Sequence, residues 1–439
     1  MTKRPLTKLL GKIQVKHGFP FKGEHFESSG RYVVLTPGNF YEGGGFKRNQ
    51  EKDKCYSESF PEEYLLKKGD FVIAMTEQAD GLLGSMAKIP ESDRFLHNQR
   101  LGLVTSLSSD VDVAFLYHLF KTKSVRLQIR RSASGSKVKH TSPERIYDLQ
   151  VPLPSRREQS AVAKLLSSLD DKIDLNKQIN KQLKGMAKLL YDYWFVQFDF
   201  PITAAQAAAM GKPKLEGKPY RASGGKMVYD ATLKHEIPAG WMACELSNII
   251  SRSATGLNPR ENFKLGTGNN YYVTIKNIED GEIVLNDKCD KIDDEALSII
   301  DRRAQLQPGD VLFTSIEPVG VTYLIHEKPK NWNINESVFT IRPDYNKTSP
   351  EHLYFLLSSS QMKSFTKNSS SGSIHKGIRH GVLKTFKLAY GSKALIDDFS
   401  RLTAPALKRI DLLSKENQQL TQHRDWLLPM LMNGQVTVN

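Results

Sequence analysis

The sequence predicts a mixed α/β (α+β) chain: two repeated globular units joined by two long helices packed as an antiparallel coiled coil, in a pseudo-two-fold arrangement. Three observations predict it. Residues 155–194 hold no proline and a single glycine, Gly185, and small or apolar residues recur there at alternating steps of four and three. The stripe is Val162, Leu166, Leu169, Ile173, Asn176, Asn180, Leu183, Ala187, Leu190 and Trp194, the repeat of about 3.5 residues of a coiled-coil seam. At an interval of 237 residues the stripe returns as Phe399, Thr403, Ala406, Ile410, Leu413, Asn417, Leu420, Arg424, Leu427 and Leu431. The match also extends upstream: Leu116-Tyr117 aligns with Leu353-Tyr354, Ser134-Gly135-Ser136 with Ser371-Gly372-Ser373, and Ser155 with Ser392. The chain is therefore two copies of one unit, a globular part followed by a long helix, and an internal repeat governs the whole fold.

A helix of about 40 residues is roughly 60 Å long and needs a partner of similar length. One such helix alone would serve as a dimerisation device; two at equal spacing in one chain favour pairing inside the chain. Antiparallel pairing would put the globular units at opposite ends. Asn180 and Asn417, at equivalent seam positions, cost stability but specify register. Ser155 with Glu158 reads as a capping box opening the first helix.

The expected divisions are residues 1–152 (first globular unit), 153–198 (central helix), 199–240 (connector), 241–391 (second globular unit) and 392–435 (C-terminal helix). In the first unit, 31–37, 69–75 and 101–107 read as strands, 112–129 as a helix, 132–142 as a polar loop and 146–153 as a strand leading into the long helix. The second unit repeats the order, with strands near 271–278, 309–314, 337–341 and 386–390, a helix over 350–363 and a serine-rich loop over 368–373. The connector is rich in glycine, lysine and proline and reads as a linker rather than a core, with Trp241 packed.

The chain has 439 residues, 39% hydrophobic and 25% charged, which is the composition of a folded soluble protein. No apolar run approaches the roughly 20 residues of a membrane span, and the N-terminus lacks a secretory pattern. Cys55, Cys244 and Cys289 are scattered without metal or redox spacing, so the expected compartment is the reducing cytoplasm. The formal net charge of +14 points to a polyanionic partner, most simply nucleic acid.

No phosphate-binding loop, dinucleotide fingerprint or catalytic constellation stands out. His375 and His380 lack acidic or cysteine companions, so no metal site is expected. Asp170, Asp171 and Asp174 read as a solvated or subunit-contacting helix face. The basic loops are more informative. Arg126, Arg130, Arg131, Lys137, Lys139, His140 and Arg145 surround the first Ser-Gly-Ser, and Lys363, Lys367, His375, Lys376, Arg379, His380 and Lys384 the second. Cations neutralise phosphates, small residues let the backbone approach, and arginine or histidine can contact base edges. Lys47 and Arg48 in the glycine tract 43–49, and Arg260 in 256–262, are further candidates.

These residues together resemble a known family. The helix-entrance motif Leu153-Pro154-Ser155-Arg156-Arg157-Glu158-Gln159, the run Leu169-Asp170-Asp171-Lys172-Ile173-Asp174-Leu175-Asn176 and Trp194-Phe195-Val196-x-Phe198-Asp199 carry the resemblance. So do Gly217-Lys218-Pro219-Tyr220, Ser223-Gly224-Gly225-x-Met227-Val228 and Ile237-Pro238-x-Gly240-Trp241 in the connector. The chain resembles the specificity subunits of type I restriction–modification systems over its whole length. In the second copy, Leu395-Ile396 replace Glu158-Gln159.

The resemblance implies that each globular unit is a target-recognition domain reading one half of a split, asymmetric site in double-stranded DNA. The helix pair would set the unread spacer and dock two modification subunits, which use S-adenosylmethionine to methylate adenine. Two restriction subunits would add ATP- and Mg²⁺-dependent cleavage. This chain would bind no cofactor and catalyse nothing itself. Two other classes remain in view: a coiled-coil adaptor that does not bind DNA, and a stand-alone DNA-modifying enzyme with an unrecognised site.

Overall fold

A computed structural model describes residues 4–48, 50–77, 81–279, 281–370 and 377–438. The chain divides into two compact units, Met1–Asp174 with Gln419–Asn439, and Leu175–Gln418. Each unit therefore holds a part of both long helices, Arg156–Tyr191 and Lys393–Met432.

The first unit is built on a four-stranded antiparallel sheet in the order Ile13–His17, Leu101–Ser106, Phe71–Ala74, Met86–Lys88. The run from Val72 to Met75 is fully buried, as expected for strands covered on both faces. A separate four-stranded sheet has the order Phe26–Glu27, Cys55–Tyr56, Tyr32–Val34, Phe95–Leu96, and in it Tyr32–Val34 runs parallel to Phe95–Leu96. Leu6–Lys8 pairs with Gln150–Pro152 where the chain leaves for the long helix.

The second unit repeats this plan. Its main sheet has the order Ile250–Thr255, Val338–Pro343, Val311–Thr314, Thr322–Leu324. Asn270–Val273 runs parallel to Trp332–Ile334, and Met242–Glu245 pairs with Lys387–Tyr390 before the second long helix. An added helix, Asp294–Ala304, has Asp293 as its N-cap, acids in its first turn and Arg302 and Arg303 in its last, the charge order that suits the helix dipole.

The two long helices pack antiparallel within each unit. In the first, Asp170 meets Arg424 at 2.8 Å, while Val162 and Leu166 share a core with Leu431 and Met432. In the second, Asn176 meets Asn417, Asn180 meets Ser414, and Tyr191 and Trp194 pack their rings on Phe399. Along the seam Val162, Leu166, Ile173, Asn180, Phe399, Leu413 and Asn417 are buried. Leu169, Leu183, Leu190, Ile410, Leu420 and Leu427 are half-buried. The first helix closes through a wider turn over Asp192–Val196, in which Gln197 N–H reaches back to Asp192 O.

Four local expectations change. The single helix over 112–129 is two, Val113–Leu119 and Lys123–Ser132. It breaks at Thr122, whose hydroxyl bonds back to Leu119 O, and the equivalent break in the second copy is capped by Ser359. A short helix, Pro143–Tyr147, precedes the strand Gln150–Pro152. Half of the expected capping box forms: Ser155 Oγ accepts from Glu158 N–H, but the Glu158 carboxylate turns away to pair with Arg4.

The connector is a folded module, not a linker. Phe200 stacks between Tyr220 and Trp241 at 4.8 Å and 5.4 Å, and Ile202, Ala207 and Ile237 are buried. Strands Met227–Asp230 and His235–Pro238 form a hairpin whose turn is held by Asp230 accepting from Thr232 and Leu233 N–H. Gly225 lies so close to the Tyr220 ring that a Cβ there would sit 2.4 Å from it. Its glycines are thus partly a packing requirement, which composition alone reads as flexibility.

Candidate nucleic-acid interface

In the first unit the Ser134–His140 loop is closed by paired backbone hydrogen bonds between Ser134 and His140. It docks on the sheet: Lys139–His140 pairs with Thr76–Glu77, and Thr141 N–H donates to Met75 O. Gly135 has φ +97°, and a Cβ there would lie 2.0 Å from Val138 O, so the turn requires glycine. Arg145 staples the loop from below, donating to Ser134 Oγ at 2.8 Å and His140 O at 3.3 Å.

The second unit docks its equivalent loop in the same way, with Ile378 N–H on Ser315 O and Gly377 bridged to Ile316. Ser371-Gly372-Ser373, His375 and Lys376, and in the first unit Asn49, lie outside the described residues.

The predicted cations separate by their surroundings. Lys47, Arg130, Arg131, Lys137 and His140 are exposed in the first unit, and Lys139 is half-buried. Arg260, Lys367 and Arg379 are exposed in the second, as is Lys363; Lys384 is half-buried. Like Arg145, Arg48 of the glycine tract and Arg126 of the first loop set work inside the fold. Arg48 grips Asp53 through two nitrogens at 2.9 Å and 3.0 Å and lies over Phe95. Arg126 braces two loops through Glu42 O and Gly81 O, and burial pulls its pKa down to about 10. His380 packs its ring against Phe339, and burial lowers its pKa.

The glycine tract before Arg48 lies beside the same sheet, with Gly45 N–H on Met86 O. Gly256 in the second unit plays a comparable part, since a Cβ would meet Ile334 O at 1.9 Å. The buried imidazoles are structural. Desolvation takes His97 down to about 4 and His118 and His352 to about 3, so all three are neutral. Among the described residues no cluster of acids, histidines and cysteines could hold a metal, and no helix is long and apolar enough to cross a membrane. What this surface offers is cations on glycine-shaped loops, suited to phosphates and base edges.

Comparison with known proteins agrees with that chemistry. A family described as "Type I restriction modification DNA specificity domain" matches residues 9–185. The HindI specificity subunit of Haemophilus influenzae is 23% identical over 84% of this chain and 87% of its own. The EcoBI specificity subunit of Escherichia coli is 26% identical over 88% of this chain and 73% of its own. Residues 9–185 thus match the specificity-domain family, and the chain as a whole is similar to the specificity subunits of type I restriction enzymes. The S subunit crystal structure from M. genitalium has the same fold, with a TM-score of 0.59 at 16% identity over 97% of this chain and 95% of that chain. The matched segment runs from the start of the first sheet through its docked loop and well into the first long helix.

Sequence reasoning read Asp170 as part of a solvated or subunit-contacting face and missed its role inside the chain. It is largely covered and bonds both Lys121 and Arg424 at 2.8 Å. The signal was present: Arg424 interrupts an apolar seam and needs a buried anion.

Proposed function

We propose that this chain is the DNA-addressing and scaffold subunit of a type I restriction–modification complex. Each globular domain, over residues 1–152 and 241–391, reads one half of a bipartite, asymmetric site, and the helix pair sets the unread spacer and carries two modification subunits. The observation that supports this most is a single loop design used twice: the same sheet order and the same docking on the central strand's extension, with different cations on the loop. One framework with two sets of readers suits two different half-sites. In the first domain Lys47, Arg130, Arg131, Lys137, Lys139 and His140 would contact DNA; in the second, Arg260, Lys367, His375, Lys376, Arg379 and His380. Arg48 is the weakest member of the set, because Asp53 holds it.

The chain supplies address rather than bond chemistry. S-adenosylmethionine, ATP and Mg²⁺ belong to the modification and restriction subunits, two of each, and the assembly works in the cytoplasm where its DNA lies. Sequencing methylated adenines in cells carrying the intact system tests the reading. The expected result is a split motif with a fixed gap, and replacing residues 1–150 by another member's equivalent segment should change one half alone. Methylation scattered without a split motif would end the proposal.

A further inference from the structure

In the first unit the short helix Val113–Leu119 shares an apolar core with the long helices through Phe115, Leu116 and Leu119, and polar contacts at both of its ends add to that joint. At its N-terminus, Gln159 is fully buried; its oxygen accepts from Asp112 N–H and its nitrogen donates to Asp110 O and Pro154 O. Just beyond its C-terminus, Lys121 donates to one oxygen of Asp170 and Arg424 to the other, each at 2.8 Å. Asp170 stands on the first long helix, Arg424 on the second and Lys121 on the domain. One carboxylate therefore ties three elements. His118, neutral and buried, adds a bond from its ring to Ser167.

The second unit fills the equivalent places differently. At the repeat interval of 237 residues, Gln159 becomes Ile396, His118 becomes Phe355, Lys121 becomes Ser358 and Asp170 becomes Leu407, while Arg424 corresponds to Ala187. Ile396, Phe355, Leu407 and Ala187 all belong to one buried apolar cluster. Both joints pack an apolar core, but at these positions the first adds buried polar ties where the second continues the apolar packing.

An apolar joint resists movement through close packing in many directions. A tie through one carboxylate is lost with that group, and its removal leaves Lys121 with the Tyr117 ring and Arg424 with Asp425 as partners, so that nothing links the two cations. We propose that Asp170 is a positioning residue for DNA spacing: by tying Lys121 to Arg424 it fixes the angle of the first domain on the helix pair, and so holds the complex to one spacer length. This rests on the functional reading above. Spacers that differ by one base pair displace a half-site by about 3.4 Å and rotate it by roughly a tenth of a turn. A domain that swings on its joint can follow such a change; a fixed one cannot.

The test is selection of bound sites from DNA with randomised sequence, using the full chain assembled with its modification subunits, for the wild type, Asp170→Asn and Arg424→Gln. Arg424→Gln keeps the Lys121–Asp170 pair and covers the case in which Asp170→Asn fails to fold. Both variants are expected to enrich the wild-type half-sites, with a several-fold larger share of sites one base pair longer or shorter. A general loss of structure would lower affinity without changing the spacer distribution. A folded variant pair that keeps the wild-type distribution overturns the inference and leaves the functional reading standing. A wild-type selection that yields no split motif removes the reading and the inference together.

Discussion

Asn176 donates its side-chain nitrogen to Asn417 Oδ1 across the two long helices at 3.0 Å, and both residues are buried. Asn180 repeats the arrangement one turn on, bonding Ser414 Oγ at 3.0 Å. A polar layer of this kind pairs its amide nitrogens in one register, while the buried Oδ1 atoms of Asn176 and Asn180 have no partner among the described residues.

Asn417→Leu is expected to destabilise the chain by about 1–3 kcal/mol, since it removes a partner from a buried amide. The double variant Asn176→Leu with Asn417→Leu should return to within about 1 kcal/mol of the wild type or exceed it, because both buried amides are then removed together and the half-buried Glu416 alone loses a donor there. Urea unfolding of both single variants and the double checks the non-additivity. A loss in the double variant equal to the sum of the losses in Asn176→Leu and Asn417→Leu alone would show that the pair is not coupled.

Gly135→Ala should act on the first loop alone. The positive φ and the 2.0 Å approach to Val138 O force the turn to open, at about 1 kcal/mol or more. DNA affinity is expected to fall while the unfolding midpoint moves little, because the loop is exposed. Titration of labelled target DNA measures the first effect and thermal melting the second.

Lys137 and Arg48 should separate affinity from stability. Lys137 is exposed at the loop tip, so Lys137→Ala should lower the slope of log affinity against log salt by about 1. Arg48 grips Asp53, whose side chain is only 6% exposed. Arg48→Ala should therefore cost about 3 kcal/mol of stability by stranding that carboxylate, with the salt slope unchanged. An Arg48 variant that is fully stable but shows a smaller slope would return Arg48 to the DNA-contacting set.

Three buried neutral histidines predict acid sensitivity. Desolvation puts the folded pKa of His97 at about 4 and of His118 and His352 at about 3, below the unfolded value of about 6.5. The unfolded chain then binds more protons as pH falls. Their contribution is present above about pH 6.5 and is lost progressively toward the folded values. His352→Phe should flatten that loss by close to one proton, and Phe is what the first copy carries at the equivalent position, Phe115. Urea midpoints between pH 7.5 and pH 5 give the comparison; an unchanged slope in His352→Phe would refute it.

Patterns carried by neighbours along the chain were legible in the sequence. The seam from Val162 to Trp194 follows from spacing on one helix, and the second copy follows from its likeness to the first. The break at Thr122 was not legible, because the apolar spacing from Val113 to Leu127 continues through it and only the hydroxyl cap interrupts the backbone. The connector's core was hidden as well, since Phe200, Tyr220 and Trp241 are far apart in sequence and meet only when the hairpin folds back. Among the cations, exposure could not be told from type: Lys137 and Arg48 look equally suited to phosphate, and Asp53 distinguishes them.

By itself the sequence determined that the chain is a duplicated unit with paired long helices and basic, glycine-shaped loops, because period, repeat interval and composition are local or self-comparing properties. Only the tertiary structure decided that Asp170 ties Lys121 to Arg424 while its counterpart Leu407 lies in an apolar cluster. The reason is distance along the chain: Asp170 is 49 residues from one partner and 254 from the other. No local rule reports which charges meet when a helix from each half of the chain folds against the same domain.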